Sequence, residues 1–169
     1  MRYRAMVLTP IRNLVTVEDL AKRVQQELGE SWIPRIYRDR ILKLRTRSYY
    51  FDDSKLSARV SVQHTLLGIE LKVGRKRLLC PDLATARYLS VFARAGCKEV
   101  AIPYDITKIS LLADELESSW FRMLLLADNW SPKARTRLRG LLFATIRQEI
   151  SAAGPGTRIP QFKQSTRQH

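Results

Sequence analysis

LSARVSVQHTLLGIELKV, residues 56–73, decides the fold of this chain. Leu56, Ala58, Val60 and Val62 alternate with Ser57, Arg59, Ser61 and Gln63, and after Gly68 the apolar set Ile69, Leu71 and Val73 alternates with Glu70 and Lys72. A period of two sends successive side chains to opposite faces, so each half is a strand with one apolar side. Upstream, Leu42, Leu44, Thr46, Ser48 and Tyr50 alternate with Lys43, Arg45, Arg47 and Tyr49, and Asp52-Asp53-Ser54-Lys55 supplies a turn before the next strand. The pattern predicts three consecutive antiparallel strands. Turning their apolar residues inward sets Leu44 opposite Val62 and Ile69, Thr46 opposite Val60 and Leu71, and Ser61 opposite Glu70. A slip of one residue would expose the whole apolar set.

Helical patterns flank these strands. Thr16 is placed to cap a helix over 17–28, with Glu18 and Asp19 in its first turn and Val17, Leu20, Ala21, Val24 and Leu28 at helical spacing. Pro81-Asp82 opens a helix over 83–95 that Gly96 stops, and a short strand follows over 98–103. An apolar helix is expected from Ile106 to Ala127. Another is expected from Ser131, as cap, with Pro132 at its first position and Gly154 at its end. Arg2 to Leu8 reads as a further strand. The expectation is one α/β domain over 1–153, with a central, mostly antiparallel sheet, helices on its apolar side and an antiparallel helix pair near the C-terminus. Residues 154–169 read as a flexible basic tail.

Charge is the strongest functional signal. The 169 residues carry 30 Lys and Arg against 16 acids, a formal net charge of +14. A field of that sign draws polyanions, which makes nucleic acid the first class of partner, with an anionic membrane surface or an acidic protein next. No apolar run reaches the ~20 residues needed to span a bilayer, and the N-terminus lacks a signal-peptide core, so a cytoplasmic location is expected. Cys80 and Cys97 lack metal-site spacing and read as buried apolar residues. His64, in an expected turn, is the one histidine outside the tail, and no glycine-rich phosphate loop is present. Asp105, after Tyr104, reads as a cap for the following helix.

In the predicted register, the polar face of the sheet carries Lys43, Arg45, Arg47, Tyr49, Arg59 and Lys72, and a basic loop, Arg75-Lys76-Arg77, extends it. Cations displace the counterions of a phosphate backbone, and rings offer stacking surfaces for bases. These nine residues form the candidate nucleic-acid site, for DNA or RNA, with no cofactor. Lys133, Arg135, Arg137 and Arg139 form a second basic cluster, on two stripes of one helix that cannot face one ligand equally.

Glu70 and Lys72, two apart on a strand, point to the same side, where such a pair can hold a divalent metal and steady a water. The order of helix, three strands, helix and strand over 17–103, with the tripeptide Glu70-Leu71-Lys72, resembles the restriction-endonuclease-like PD-(D/E)xK nucleases. That resemblance implies a metal-dependent nuclease with Glu70 as Mg2+ ligand and Glu70 and Lys72 as catalytic residues. It stands as the alternative to simple backbone binding. A third reading is a basic adaptor that docks on an acidic protein through the apolar helix at 106–127.

Overall fold

The computed structural model describes residues 15–51 and 59–156. The strand expected at 2–8, the turn at 52–55 and the tail beyond 156 lie outside the described residues. The described chain is a mixed α/β fold with antiparallel strands and a helix pair near its C-terminal end.

Helix α1 (Val17–Leu28) starts as its sequence indicates. The Thr16 hydroxyl accepts the Asp19 N–H at 3.1 Å while the Asp19 carboxylate accepts the Thr16 N–H at 3.1 Å, a reciprocal cap that satisfies two donors with no intrahelical partner. A short turn at Gly29–Ser31 leads to α2 (Ile33–Ile36), which runs on into a wide π-type turn at Tyr37–Ile41. Arg35, Arg38 and Arg40 therefore stand on helical backbone. Ile33, Ile36, Tyr37 and Ile41 are buried, and Arg35, Arg38 and Arg40 are exposed.

The strands correct the predicted meander. β1 (Thr46–Tyr50) does not join the strands that follow it. It pairs antiparallel with β5 (Glu99–Pro103), Ser48 opposite Ala101. The second sheet has the order β2 (Val60–Thr65), β3 (Gly68–Val73), β4 (Lys76–Cys80). The expected 75–77 loop is a tight turn around Gly74-Arg75, and Lys76 and Arg77 begin β4. The β2–β3 register is displaced by two residues from the expected one: Val62 faces Leu71 and Val60 faces Val73, so Gln63, not Ser61, lies opposite Glu70. A shift of two keeps every side chain on its expected face, so the hydrophobic pattern alone could not distinguish the two. His64 lies in β2 rather than in a turn.

The inner edge of the two-stranded sheet is closed by tyrosines. Arg45 and Phe51 exchange ladder bonds with Tyr104 and Lys98, so alternate residues of β5, Ala101 among them, direct their N–H and C=O away from β1. The Ala101 N–H donates to the Tyr37 hydroxyl at 2.9 Å, and the Tyr88 hydroxyl donates to the Ala101 carbonyl at 2.6 Å. Tyr37 in turn donates to the Gly154 carbonyl at 2.6 Å. Both rings are fully buried, and burial pushes the Tyr37 phenol up to about 12. Gly154–Gly156, the first residues of the expected tail, lie against this sheet. At Gly156, where φ is +94°, a Cβ would sit 2.5 Å from Thr46 Oγ1, so only glycine fits there.

The remaining helices complete one continuous core. α3 (Leu83–Ala95) begins at Asp82, which accepts the Thr85 N–H at 2.7 Å, and stops at Gly96 with φ +84°. α4 (Ile106–Trp130) is three residues longer than expected. Asp105 caps it through Thr107, whose hydrogen bonds hold the Asp105 carboxyl below its usual value. α5 (Arg135–Ala153) starts later than expected: Ser131 closes α4 and Ala134 precedes the first turn of α5. α3 lies between α4 and the second sheet, while α1 packs across α4 and α5. Cys80 and Cys97 are free and buried. Among the described residues no helix is long and apolar enough to cross a membrane.

Candidate nucleic-acid interface

The nine residues expected on one sheet face fall into two groups. Lys43, Arg45, Arg47 and Tyr49 belong to β1 and the turn before it, whereas Arg59, Lys72, Arg75, Lys76 and Arg77 belong to the second sheet. Among the described residues no ladder joins the two sheets, so the continuous stripe expected from a three-strand meander is broken.

In the first group, Lys43, Arg45 and Arg47 are exposed, and the Arg45 guanidinium stands 5.6 Å from the centre of the Tyr104 ring. Tyr49 is half-buried and meets Phe51 edge-on at 5.1 Å. Burial, with Cys80 nearby, raises its phenol above the usual value. The Tyr49 ring thus leans on a neighbour and shows only part of its surface to solvent.

The second group is more concentrated. Alternation places Val60, Val62, Leu71, Val73, Leu78 and Cys80 on the side that meets α3. The other side shows Ser61, Lys72 and Arg77 in one row and Gln63, Glu70 and Leu79 in the next. Lys72 is directly opposite Arg77. Like charges so placed destabilise a sheet, and among the described residues no acid forms an ion pair with Lys72, Arg75 or Arg77. Arg59 and Lys76 are exposed at the same end, where the Gly74 N–H donates to the Arg59 carbonyl at 2.8 Å.

Glu70 departs from the expected solvent-facing position. It is 5 % exposed, and among the described residues its Oε1 has no hydrogen-bond partner. Lys72 shares its face, as the tripeptide implied. The neighbours of Glu70 across the ladder are Gln63 and Leu79, so the described strands bring it no second acid, and among the described residues no three metal-ligating side chains cluster.

The second basic cluster is partly neutralised. Arg139 forms a two-pronged pair with Asp128, at 3.0 and 2.6 Å, while Lys133, Arg135 and Arg137 are exposed. Two surface features escaped the sequence reading, the β2–β3 tip and a groove beside α1, and one that it raised, the apolar helix now α4, is exposed in part. Leu66 and Leu67 stand at the tip of the β2–β3 hairpin, beside an exposed Leu79. α4 shows Leu111, Phe121 and Leu125 to solvent. A groove of about 630 Å³ beside α1 gathers Lys22, Arg35 and Arg38 around Trp32. Leucines between two strands were a visible signal, because turns select glycine, asparagine and aspartate there.

Comparison with protein-family models, with curated proteins and with solved structures finds no match for this chain.

Proposed function

We propose that this protein binds nucleic acid through the phosphate backbone, using the basic face and turn of the β2–β3–β4 sheet. The observation that carries this reading is the juxtaposition of Lys72 and Arg77 across one ladder, with Arg75 in the adjoining turn and, among the described residues, no acid paired to any of the three. A polyanion relieves that repulsion and releases counterions as it binds. Long cations projecting from a sheet position phosphates without reading base edges, so the expected binding is weak in sequence preference. Lys43, Arg45 and Arg47 add charge from β1 and the turn before it, in the other sheet.

The test is the ultraviolet spectrum of the purified protein, followed by salt titrations with labelled DNA and RNA, duplex and single-stranded. Affinity must fall steeply between low and physiological salt. A flat response, or a stoichiometric protein partner with no nucleic acid, would overturn the reading and favour the adaptor.

One observation favours a second reading, the metal-dependent nuclease. The orphaned Oε1 of buried Glu70, on the same face as Lys72, is an uncompensated acceptor that a cation would satisfy. Mg2+ takes oxygen ligands in octahedral array, commonly one or two carboxylates completed by water and substrate phosphates. Glu70 supplies one. Mg2+-dependent loss of full-length probe, abolished by Glu70→Gln and by Lys72→Ala, would establish this activity.

A further inference from the structure

The tip of the β2–β3 hairpin breaks two rules at once. Leu66 is 107 % exposed and Leu67 77 %, so neither packs on the core. Nor do they suit the turn. Two-residue hairpin loops favour residues with positive φ, and no residue here other than glycine has one. The loop is held instead by Thr65, whose hydroxyl accepts the Leu67 N–H at 3.1 Å and donates to the Gly68 carbonyl at 3.2 Å. Leu79, 64 % exposed, lies against the tip, because a Cβ on Gly68 would touch its Cδ1 at 3.6 Å. Three leucines thus form one apolar point on a chain of net charge +14.

We infer that the ligand is duplex DNA and that Leu66 and Leu67 are a wedge that enters the minor groove and parts one base step. This rests on the backbone-binding reading above and adds a bend to it. Aliphatic side chains inserted between base pairs unstack them and kink the duplex toward the major groove. Leucine has no ring to stack on a lone base, which sets a duplex apart from a single strand.

The placement of charge separates DNA from a membrane. The rows nearest the tip hold His64, Gln63 and Glu70 and no lysine or arginine. The first cationic row, Lys72 with Arg77, is four residues back, or about 13 Å, and Arg59 six residues back, about 20 Å. An apolar element seated about 5–10 Å into a bilayer needs its cations beside it, at the headgroups. B-DNA carries a charge every ~1.7 Å along its axis, so a duplex lying along the sheet, with the tip turned into its groove, sets phosphate against the Lys72–Arg77 row.

The experiment uses the full chain and a duplex of about 30 base pairs with a donor and an acceptor dye at its ends, a length that smooth bending alone deforms little. Wild type is expected to raise energy transfer on binding. The double variant Leu66→Ser/Leu67→Ser should bind within about 10-fold of wild type with the same salt slope, because its phosphate contacts are intact, and should leave energy transfer unchanged. Equal bending by both proteins overturns the wedge, as does wild-type binding without bending. Binding confined to RNA or to single strands overturns the assignment to duplex DNA while leaving the backbone reading in place. Leucine-dependent binding to phosphatidylserine vesicles, with no bend in DNA, overturns it in favour of a bilayer. Absence of salt-sensitive binding to every nucleic acid removes the backbone reading and the wedge together.

Discussion

Arg87 and Arg77 belong to neighbouring layers of one fold, and their surroundings are opposite. On α3, Arg87 donates to Glu117 at 2.7 Å and also to Asp114, and its hydrogen bonds to those carboxylates raise its pKa further. Arg40 meets Glu115 and Arg139 meets Asp128 in the same manner, so the helical layer pairs these cations internally. On β4, Arg77 faces Lys72. Between Arg59 and Cys80 the chain has five Lys and Arg and one acid, the buried Glu70. Arg40, Arg87 and Arg139 are paired within the fold, whereas Lys72 and Arg77 face each other across a ladder and, among the described residues, have no acid paired to them.

The largest test of that contrast is the triple variant Lys72→Ala/Arg75→Ala/Arg77→Ala. Losing three phosphate contacts should lower the log–log salt slope by about 2.7 and weaken binding at low salt by roughly 100-fold. Fluorescence anisotropy over a salt series reads both. If the triple variant binds as wild type does, the sheet is not the interface and the contrast loses its meaning.

Next in size is Tyr37→Phe, which leaves the Ala101 N–H without its acceptor and the Gly154 carbonyl without its donor. We expect a loss of about 1–3 kcal/mol in urea unfolding at pH 7, with unchanged binding. The pH dependence follows from the direction of the shift. Burial raises the Tyr37 phenol from 10.0 to about 12, so the protonated form is favoured in the fold. Its contribution is complete below pH 10 and disappears as pH rises through 12, and unfolding curves for the two proteins should converge there.

Arg87→Ala should cost about 1 kcal/mol, as expected for a partly exposed pair with good geometry, and should leave binding to DNA within twofold. The smallest effect has the opposite sign. Arg77→Thr removes a like charge from opposite Lys72 and should stabilise the sheet by roughly 0.2–1 kcal/mol while weakening binding. Thermal unfolding in low salt resolves the gain. A destabilised Arg77→Thr would mean that Arg77 has a structural partner.

Elements with local signals were legible in the sequence. Thr16 with Asp19, Asp82 before Leu83, and Gly96 mark helix ends through hydrogen bonds or backbone angles that span only a few residues, and the structure has all of them. Strand partners were not, because alternation states which face a side chain takes and says nothing about the neighbouring strand. β1 therefore took the wrong partner, and the β2–β3 register moved by two without changing a face. The run Arg75-Lys76-Arg77 hid β4 because its strand pattern lasts only five residues, two of them charged. Arg59 and Lys72 keep the parity expected for them, whereas Arg77, expected in a loop, joins their face as part of β4 and Lys76 takes the opposite one. The burial of Glu70 depends on its three-dimensional surroundings, which spacing does not encode.

Two of the contacts that tie the first half of the chain to its last helix join residues 117 apart: Trp32 Nε1 to Glu149 Oε1 at 3.1 Å, and Tyr37 to Gly154. Ribosomes add about 5–20 residues per second, so the earlier partner of each pair waits roughly 6–23 s for the later one to be synthesised. Through that interval α2 and its π-type turn hold an indole and a phenol whose native partners do not yet exist. Closure of so long a loop also comes late in refolding, since its entropy is spent before any contact rewards it. Changes at Trp32, Tyr37 or Glu149 should then speed unfolding more than they slow folding.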